Sequence, residues 1–148
     1  MPMKFNKRYS HLGYSHMSVP DGWVPIVKDA IRKIEKEMWP RWFPWPLCSL
    51  IHWLATGNSI VRIKYRWAFD IRRRLTRGQM IRDIKEKYAS LRIYGSFNDK
   101  IEKIIEQAEI ACSRTCQKCG ASGDDVKPIG AGWIYNLCAI CAHKLRRG

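Results

Sequence analysis

Hydrophobic positions change their period several times along the chain, and each change predicts an element. After Asp21-Gly-Trp-Val-Pro, apolar residues recur at Ile26, Val27, Ala30, Ile31, Ile34 and Met38, with Lys28, Asp29, Arg32, Lys33, Glu35 and Lys36 between them. This spacing predicts an amphipathic helix, with Pro25 in a first turn where a missing N–H costs nothing. Pro40 stops the helix and pushes Trp39 toward extended geometry. Leu47 to Ala55 predicts a short apolar helix with Leu47, Leu50, Ile51 and Leu54 on one face, ended by Thr56-Gly-Asn-Ser59; Cys48 fits a small buried residue there. The clearest stripe is Phe97, Ile101, Ile104, Ile105, Ala108 and Cys112, capped by Ser96 to Asp99 and acidic on its outer face.

Alternation of period two appears between these helices. Val61, Ile63, Tyr65, Trp67, Phe69 and Ile71 fall on one side of an extended chain, with Arg62, Lys64 and Arg66 on the other. Ile60, Ile63, Trp67, Ile71 and Leu75 also fit a helix, but the β-branched and aromatic content favours a strand over residues 60–67. Met80 to Tyr94 predicts two further strands in a hairpin turning near residues 88–91 and closed by Gly95. The expected fold is therefore α+β: a small mixed domain of helices and antiparallel strands, with an appended C-terminal ribbon. Its expected divisions are a flexible basic arm at 1–20, a core at 21–112 and the ribbon at 113–148.

The ribbon rests on four cysteines. Cys116-Gln-Lys-Cys119 and Cys138-Ala-Ile-Cys141 are separated by residues 120–137. Each pair can bend two thiolates onto one ion, and two pairs at this separation complete the tetrahedron that Zn²⁺ accepts in closed structural sites. The alternative is redox pairs or disulfides. Gly120 follows the second ligand, where a tight knuckle needs positive φ or room for backbone amides. Gly130 to Leu137 reads as a strand delivering the second pair. Cys112 and His143 lie close enough in sequence to be substitute ligands. His11 and His16 lack neighbouring cysteines or carboxylates and read as solvated loop residues.

Composition narrows the partners. The chain has 148 residues and a formal charge of +14, with a pI near 9.8. Such a balance favours a polyanion: nucleic acid, an anionic membrane surface or an acidic protein face. No apolar run is long enough for a transmembrane helix. The N-terminus shows no apolar stretch of the kind that a secretory signal carries, and the cysteines cluster in pairs, so a reducing cytoplasm is expected. Eleven cations face three carboxylates between Ile60 and Arg92. In an extended reading, Arg62, Lys64 and Arg66 form a row spaced about 6.8 Å apart, near the phosphate spacing of a nucleic-acid strand. Arg72, Arg73, Arg74 and Arg77 continue this basic stretch.

Six of the seven tryptophans precede residue 70. Within Met38-Trp-Pro-Arg-Trp-Phe-Pro-Trp-Pro-Leu47, three prolines oppose a helix, so the aromatics either pack on the first helix or form an exposed patch. In the second case Trp39, Arg41, Trp42 and Trp45 are the residue types that anchor protein interfaces.

A set of motifs in fixed order carries a resemblance. These are Asp21-Gly-Trp, Ile84-Lys-Glu-Lys-Tyr with Leu91-Arg-Ile-Tyr94, the acidic helix ending in Ala108-Glu-Ile, Thr115-Cys-Gln-Lys-Cys-Gly-Ala, and Gly132-Trp-Ile with Leu137-Cys. The set resembles small uncharacterised proteins of tailed phages and prophages that end in a similar ribbon, over residues 21–39 and 81–142. The sequence departs from that pattern between residues 39 and 80. Ala89-Ser90 stands where a glycine turn is expected, and Cys141 where relatives often carry His. The resemblance implies a phage origin, and hence action in the host cytoplasm, and a metal ribbon; it implies no activity.

Two functions are expected from these residues. One is a zinc-ribbon protein that binds DNA or RNA through a basic face with little sequence preference. The other is an interaction factor that inhibits or redirects a host machine through an acidic surface, a defence complex such as a CRISPR effector included. No paired carboxylates, Ser/His pair or open metal site points to an enzyme, and no small-molecule substrate or membrane partner is expected.

Overall fold

The computed structural model describes residues 17–56, 64–130 and 132–147. Its elements are β1 (Met17–Ser18), α1 (Val24–Met38), α2 (Trp45–Thr56), α3 (Arg66–Leu75), β2 (Met80–Lys87), β3 (Ser90–Ser96), α4 (Asp99–Ser113), β4 (Lys127–Ile129), β5 (Tyr135–Leu137) and α5 (Ala139–Arg147). The expected α+β class holds. One sheet has the order β1-β2-β3 and a second pairs β4 with β5.

Helix α1 forms where its apolar period predicts. Val27, Ala30, Ile31, Ile34 and Met38 are buried, and the helix ends at Trp39, whose ψ of 143° is extended as Pro40 requires. Helix α4 is capped by Asn98, whose side chain accepts a hydrogen bond from the Ile101 N–H. It packs across α1 and β3. Ile101, Ile105, Ala108 and Cys112 join Ile84, Leu91, Ile93 and Trp23 in the main core.

The β2–β3 hairpin turns through Tyr88 and Ala89, with φ of 52° and 58°. A two-residue turn with both residues left-handed matches strand twist and ordinarily favours Asn or Gly. Here hydrogen bonds at the turn offset that cost. The Ala89 N–H donates to Glu86 Oε1 at 2.7 Å, and Asn136 Nδ2 donates to the Ala89 carbonyl at 2.8 Å. A bulge between Ile81 and Asp83 breaks the simple alternation of β2. It lets Ile81 and Ile84, three residues apart, both be buried.

Three expectations need correction. Residues 17–20 are not part of a flexible arm: Met17 and Ser18 pair in parallel with Ile84 and Lys85, and Val19 is buried in the core. Residues 1–16 lie outside the described residues. Helix α2 begins at Trp45, two residues earlier than predicted, because Pro46 is tolerated in a first turn.

The strand expected over 60–67 is the largest difference. Residues 60–63 lie outside the described residues, but Arg66–Leu75 is a helix packed against α2. Of the apolar stripe Trp67-Ile71-Leu75, only Leu75 packs against the core. Ala68, Arg72 and Thr76 are buried instead, while Trp67, Phe69 and Ile71 are exposed. Ala68 is small enough to sit where two helices meet, and Arg72, although buried, has a partner.

Candidate metal centre

The four paired cysteines meet in space. Cys116 and Cys119 follow α4 in a tight knuckle, where the Cys116 N–H donates to the Ala121 carbonyl and the Gly120 N–H returns to the Cys116 carbonyl. Gly120 has φ of 78°, the left-handed geometry that its position after the second ligand predicts. Cys138 follows β5, and Cys141 lies in the first turn of α5. All four Sγ atoms lie within 4.8 Å of one another. Cys116, Cys138 and Cys141 are buried and Cys119 is exposed, and none forms a disulfide. Such a set can hold a metal ion in tetrahedral thiolate coordination.

The remaining candidates lie elsewhere. Cys112 is fully buried in the main core and His143 is exposed; neither belongs to the cluster. As free thiols the cluster is strongly differentiated. Burial raises the Cys116 pKa, but backbone hydrogen bonds from Cys138, Cys119 and Lys118 outweigh it and bring the value down to about 6. Burial, reinforced by hydrogen bonding to Cys119, Cys138 and Cys116, pushes Cys141 up to about 12.

The cluster has its own small apolar shell of Leu137, Ala142, Val126 and Ile129. It is joined to the main core through backbone. The Gly22 N–H donates to the Gln117 carbonyl at 2.8 Å, and the Trp23 indole N–H donates to the Thr115 carbonyl at 2.9 Å. A Cβ on Gly22 would lie 2.0 Å from the Cys116 carbonyl oxygen and 2.7 Å from the Gly120 nitrogen. Only glycine allows this approach. The Gln117 N–H meanwhile donates to the Asn136 carbonyl, and the Asn136 side chain reaches the hairpin turn. Gly22, Trp23, Thr115 and Asn136 thus seat the ribbon. The sequence marks Asp21-Gly-Trp as the entry to the first helix and as part of a resemblance, but not as a seat for the ribbon, because a long-range backbone contact leaves no local period.

The basic and aromatic candidates divide between surface and interior. Arg62 lies outside the described residues. Lys64, Arg66, Arg73, Arg74 and Arg77 are exposed, whereas Arg72 is 4% exposed and leaves the expected binding face. Trp39 is buried, with its indole N–H donating to Glu35 Oε2 at 3.3 Å. Arg41 is exposed, as are Trp42 at 74% and Trp45 at 51%. The Trp/Pro segment therefore does both things that its composition allows.

No protein-family model matches the chain, and no curated protein or solved structure matches it either. No helix among the described residues is long and apolar enough to cross a membrane.

Proposed function

We propose that this protein is a zinc-stapled nucleic-acid-binding protein whose contact face is the outer side of α3. The metal part rests on fit. A Zn–S bond of about 2.3 Å places tetrahedral thiolates about 3.8 Å apart, and Cys119 Sγ lies 3.7 Å from Cys138 Sγ. Four thiolates close the coordination shell, so the ion supports the fold and leaves no open position for a reacting water.

The observation that carries the nucleic-acid reading is the exposed arginine cluster. Arg66 and Arg73 are two helical turns apart, about 10 Å along the axis. Arg74 sits beside Arg73, and Arg77 follows in the turn after α3, where its φ is 53°. Among the described residues, none of these four arginines takes part in an ion pair. Asp70 is the one carboxylate carried by the helix. Arginines held on a rigid helix with free donors suit phosphate oxygens, and exposed Trp67 beside them offers a stacking face. Binding of this kind tracks phosphates rather than base edges and gives little sequence preference.

A gel-shift series on short DNA and RNA against salt tests the reading. Affinity should fall steeply with salt, and Asp70→Asn should tighten it. Absence of binding at about 50 mM salt refutes it.

A second reading has its own observation. Trp42, Trp45, Leu47, Leu50 and Trp67 are all exposed on or beside α2 and α3. Exposed Trp and Leu side chains are residue types suited to a protein interface, and the exposed arginines of α3 suit an acidic partner. For a phage-encoded factor that partner is a host protein. Trp42→Ala with Trp45→Ala should then abolish co-purification of one stoichiometric partner while leaving salt-sensitive nucleic-acid binding intact.

A further inference from the structure

Behind the outer arginines of α3 lies a cavity of about 280 Å³, lined by Phe69, Arg72, Arg73, Thr76, Gly78, Gln79, Met80 and Arg82. Three of these residues are arginines and none is a carboxylate. Arg82 comes from the bulged stretch of β2, where the register shifts between Ile81 and Asp83. Bulges redirect side chains out of the regular alternation of a strand. Its guanidinium makes a long hydrogen bond, 3.4 Å from Nη2 to Ser96 Oγ. Arg73 arrives from the other wall, near the end of α3. The nearest carboxylates in sequence do not neutralise the cavity: Asp83 is paired with Lys85 at 2.6 Å, and Asp70 is outside the lining.

Arg73 and Arg82 are exposed cations lining one cavity with no carboxylate in its lining, an arrangement that leaves like charges uncompensated. A tetrahedral oxyanion compensates them. Hydrogenphosphate and a phosphate monoester carry oxygens that can accept from both arginines. Gln79 and Thr76 add neutral polar groups to the lining. Phe69 and Met80 supply the apolar part of the wall.

We infer that this cavity is a phosphate seat, held by Arg73 of α3 and Arg82 of β2, that takes inorganic phosphate or a terminal phosphate monoester. The seat shares Arg73 with the outer face that would follow a polymer backbone, and adds Arg82 from β2. It deepens the nucleic-acid reading if the monoester is a strand terminus, and to that extent rests on it.

Isothermal titration of the metal-loaded protein with inorganic phosphate, at fixed ionic strength set with chloride, tests the inference. One saturable site per chain is expected. Arg73→Gln and Arg82→Gln should each weaken it about tenfold or more, as loss of charge-assisted hydrogen bonds implies. Arg146→Gln removes the same charge from α5 and should leave binding unchanged. Circular dichroism melts of the variants check that the fold persists; Arg73 and Arg82 are both exposed, so little change is expected. No saturable binding, or binding equally weakened by Arg146→Gln, overturns the seat. Oligonucleotides with 5′-phosphate and 5′-hydroxyl ends separate the sources: a preference for the phosphate end that is lost in Arg82→Gln assigns the seat to a strand terminus. Phosphate binding with no end preference assigns it to the free ion or a small phosphate ester. Oligonucleotide binding without phosphate binding overturns the seat and leaves the outer face standing. Phosphate binding without oligonucleotide binding does the reverse.

Discussion

The ribbon junction and the α2–α3 pair treat their polar groups in opposite ways. At the junction, backbone carbonyls take every donor: Gln117 accepts from the Gly22 N–H, Thr115 from the Trp23 indole and Ala89 from the Asn136 side chain. In α3, large apolar side chains and three arginines face outward, with Arg77 in the turn that follows, while a buried arginine faces in. The first region has little freedom to change without losing its fit. The second leaves charged and aromatic groups free for something else. Within one chain, the cysteine cluster is tied to the core by hydrogen bonds to backbone, and the segment without a recognisable motif exposes its charged and aromatic side chains.

The largest expected effect is that of removing the metal ion that the cysteine cluster is proposed to hold. Chelation, or Cys138→Ser, should unfold the ribbon and lower the melting temperature sharply, since structural zinc contributes about 10–16 kcal/mol in small ribbons and fingers. Elemental analysis should return one zinc per chain before treatment and none after it. A protein that is folded equally well without metal would contradict the staple. Because protons compete with the ion for the same sulfurs, metal should be retained at neutral pH and released as pH falls.

Next in size is Gly22→Ala. Its Cβ would meet backbone atoms, which cannot swing away as a side chain does. A loss of about 3 kcal/mol in urea unfolding is expected, with the Trp23 indole proton losing its protection from exchange. A stable variant with that proton still protected would show that the approach is looser than the 2.0 Å contact implies.

On the other side of the comparison, replacing Arg66, Arg73, Arg74 and Arg77 by Gln should cost stability within about 0.5 kcal/mol. The same variant should flatten the salt dependence of nucleic-acid binding by about 0.9 in log–log slope for each phosphate that is no longer neutralised. Unchanged slope would move the contact face elsewhere.

The smaller effects concern interior groups. Burial, with a minor contribution from Glu109, pushes the Cys112 thiol up to about 12. A raised thiol pKa favours the neutral form at every pH below it, so Cys112 should resist alkylation at pH 8 in the native protein and react once it is unfolded. Mass spectrometry of the labelled peptides reads this directly. Gln117 is 4% exposed, and both ends of its amide lack a partner. Gln117→Met should therefore be neutral or stabilising by about 1 kcal/mol, because an unpaired buried amide is replaced by an apolar chain of similar length. A clear loss of stability would mean that the amide is satisfied in solution.

Much of this arrangement was legible in the sequence. The stripes of α1 and α4, the hairpin at residues 80–96 and the cysteine pairs each follow from a local period or spacing. The failures share a cause. Residues 64–75 satisfy both a strand and a helix period, and even the helix stripe is exposed at Trp67 and Ile71, because contact with α2 selects Ala68 and Arg72 as the inward residues. The basic candidates do not form a row: Arg72 is buried, while Arg82, expected in an ordinary strand, lines a cavity together with Arg73.

By itself, then, the sequence determined the tetrathiolate cluster, the two principal helices and the basic excess, since spacing, periodicity and charge are properties of a line of residues. Only the tertiary structure decided that Gly22 touches the cysteine knuckle, that a ribbon asparagine holds the hairpin turn and which side of α3 faces water. Those outcomes depend on how closely segments distant in the chain can approach, a distance set by backbone and small side chains and left unmarked by any local pattern.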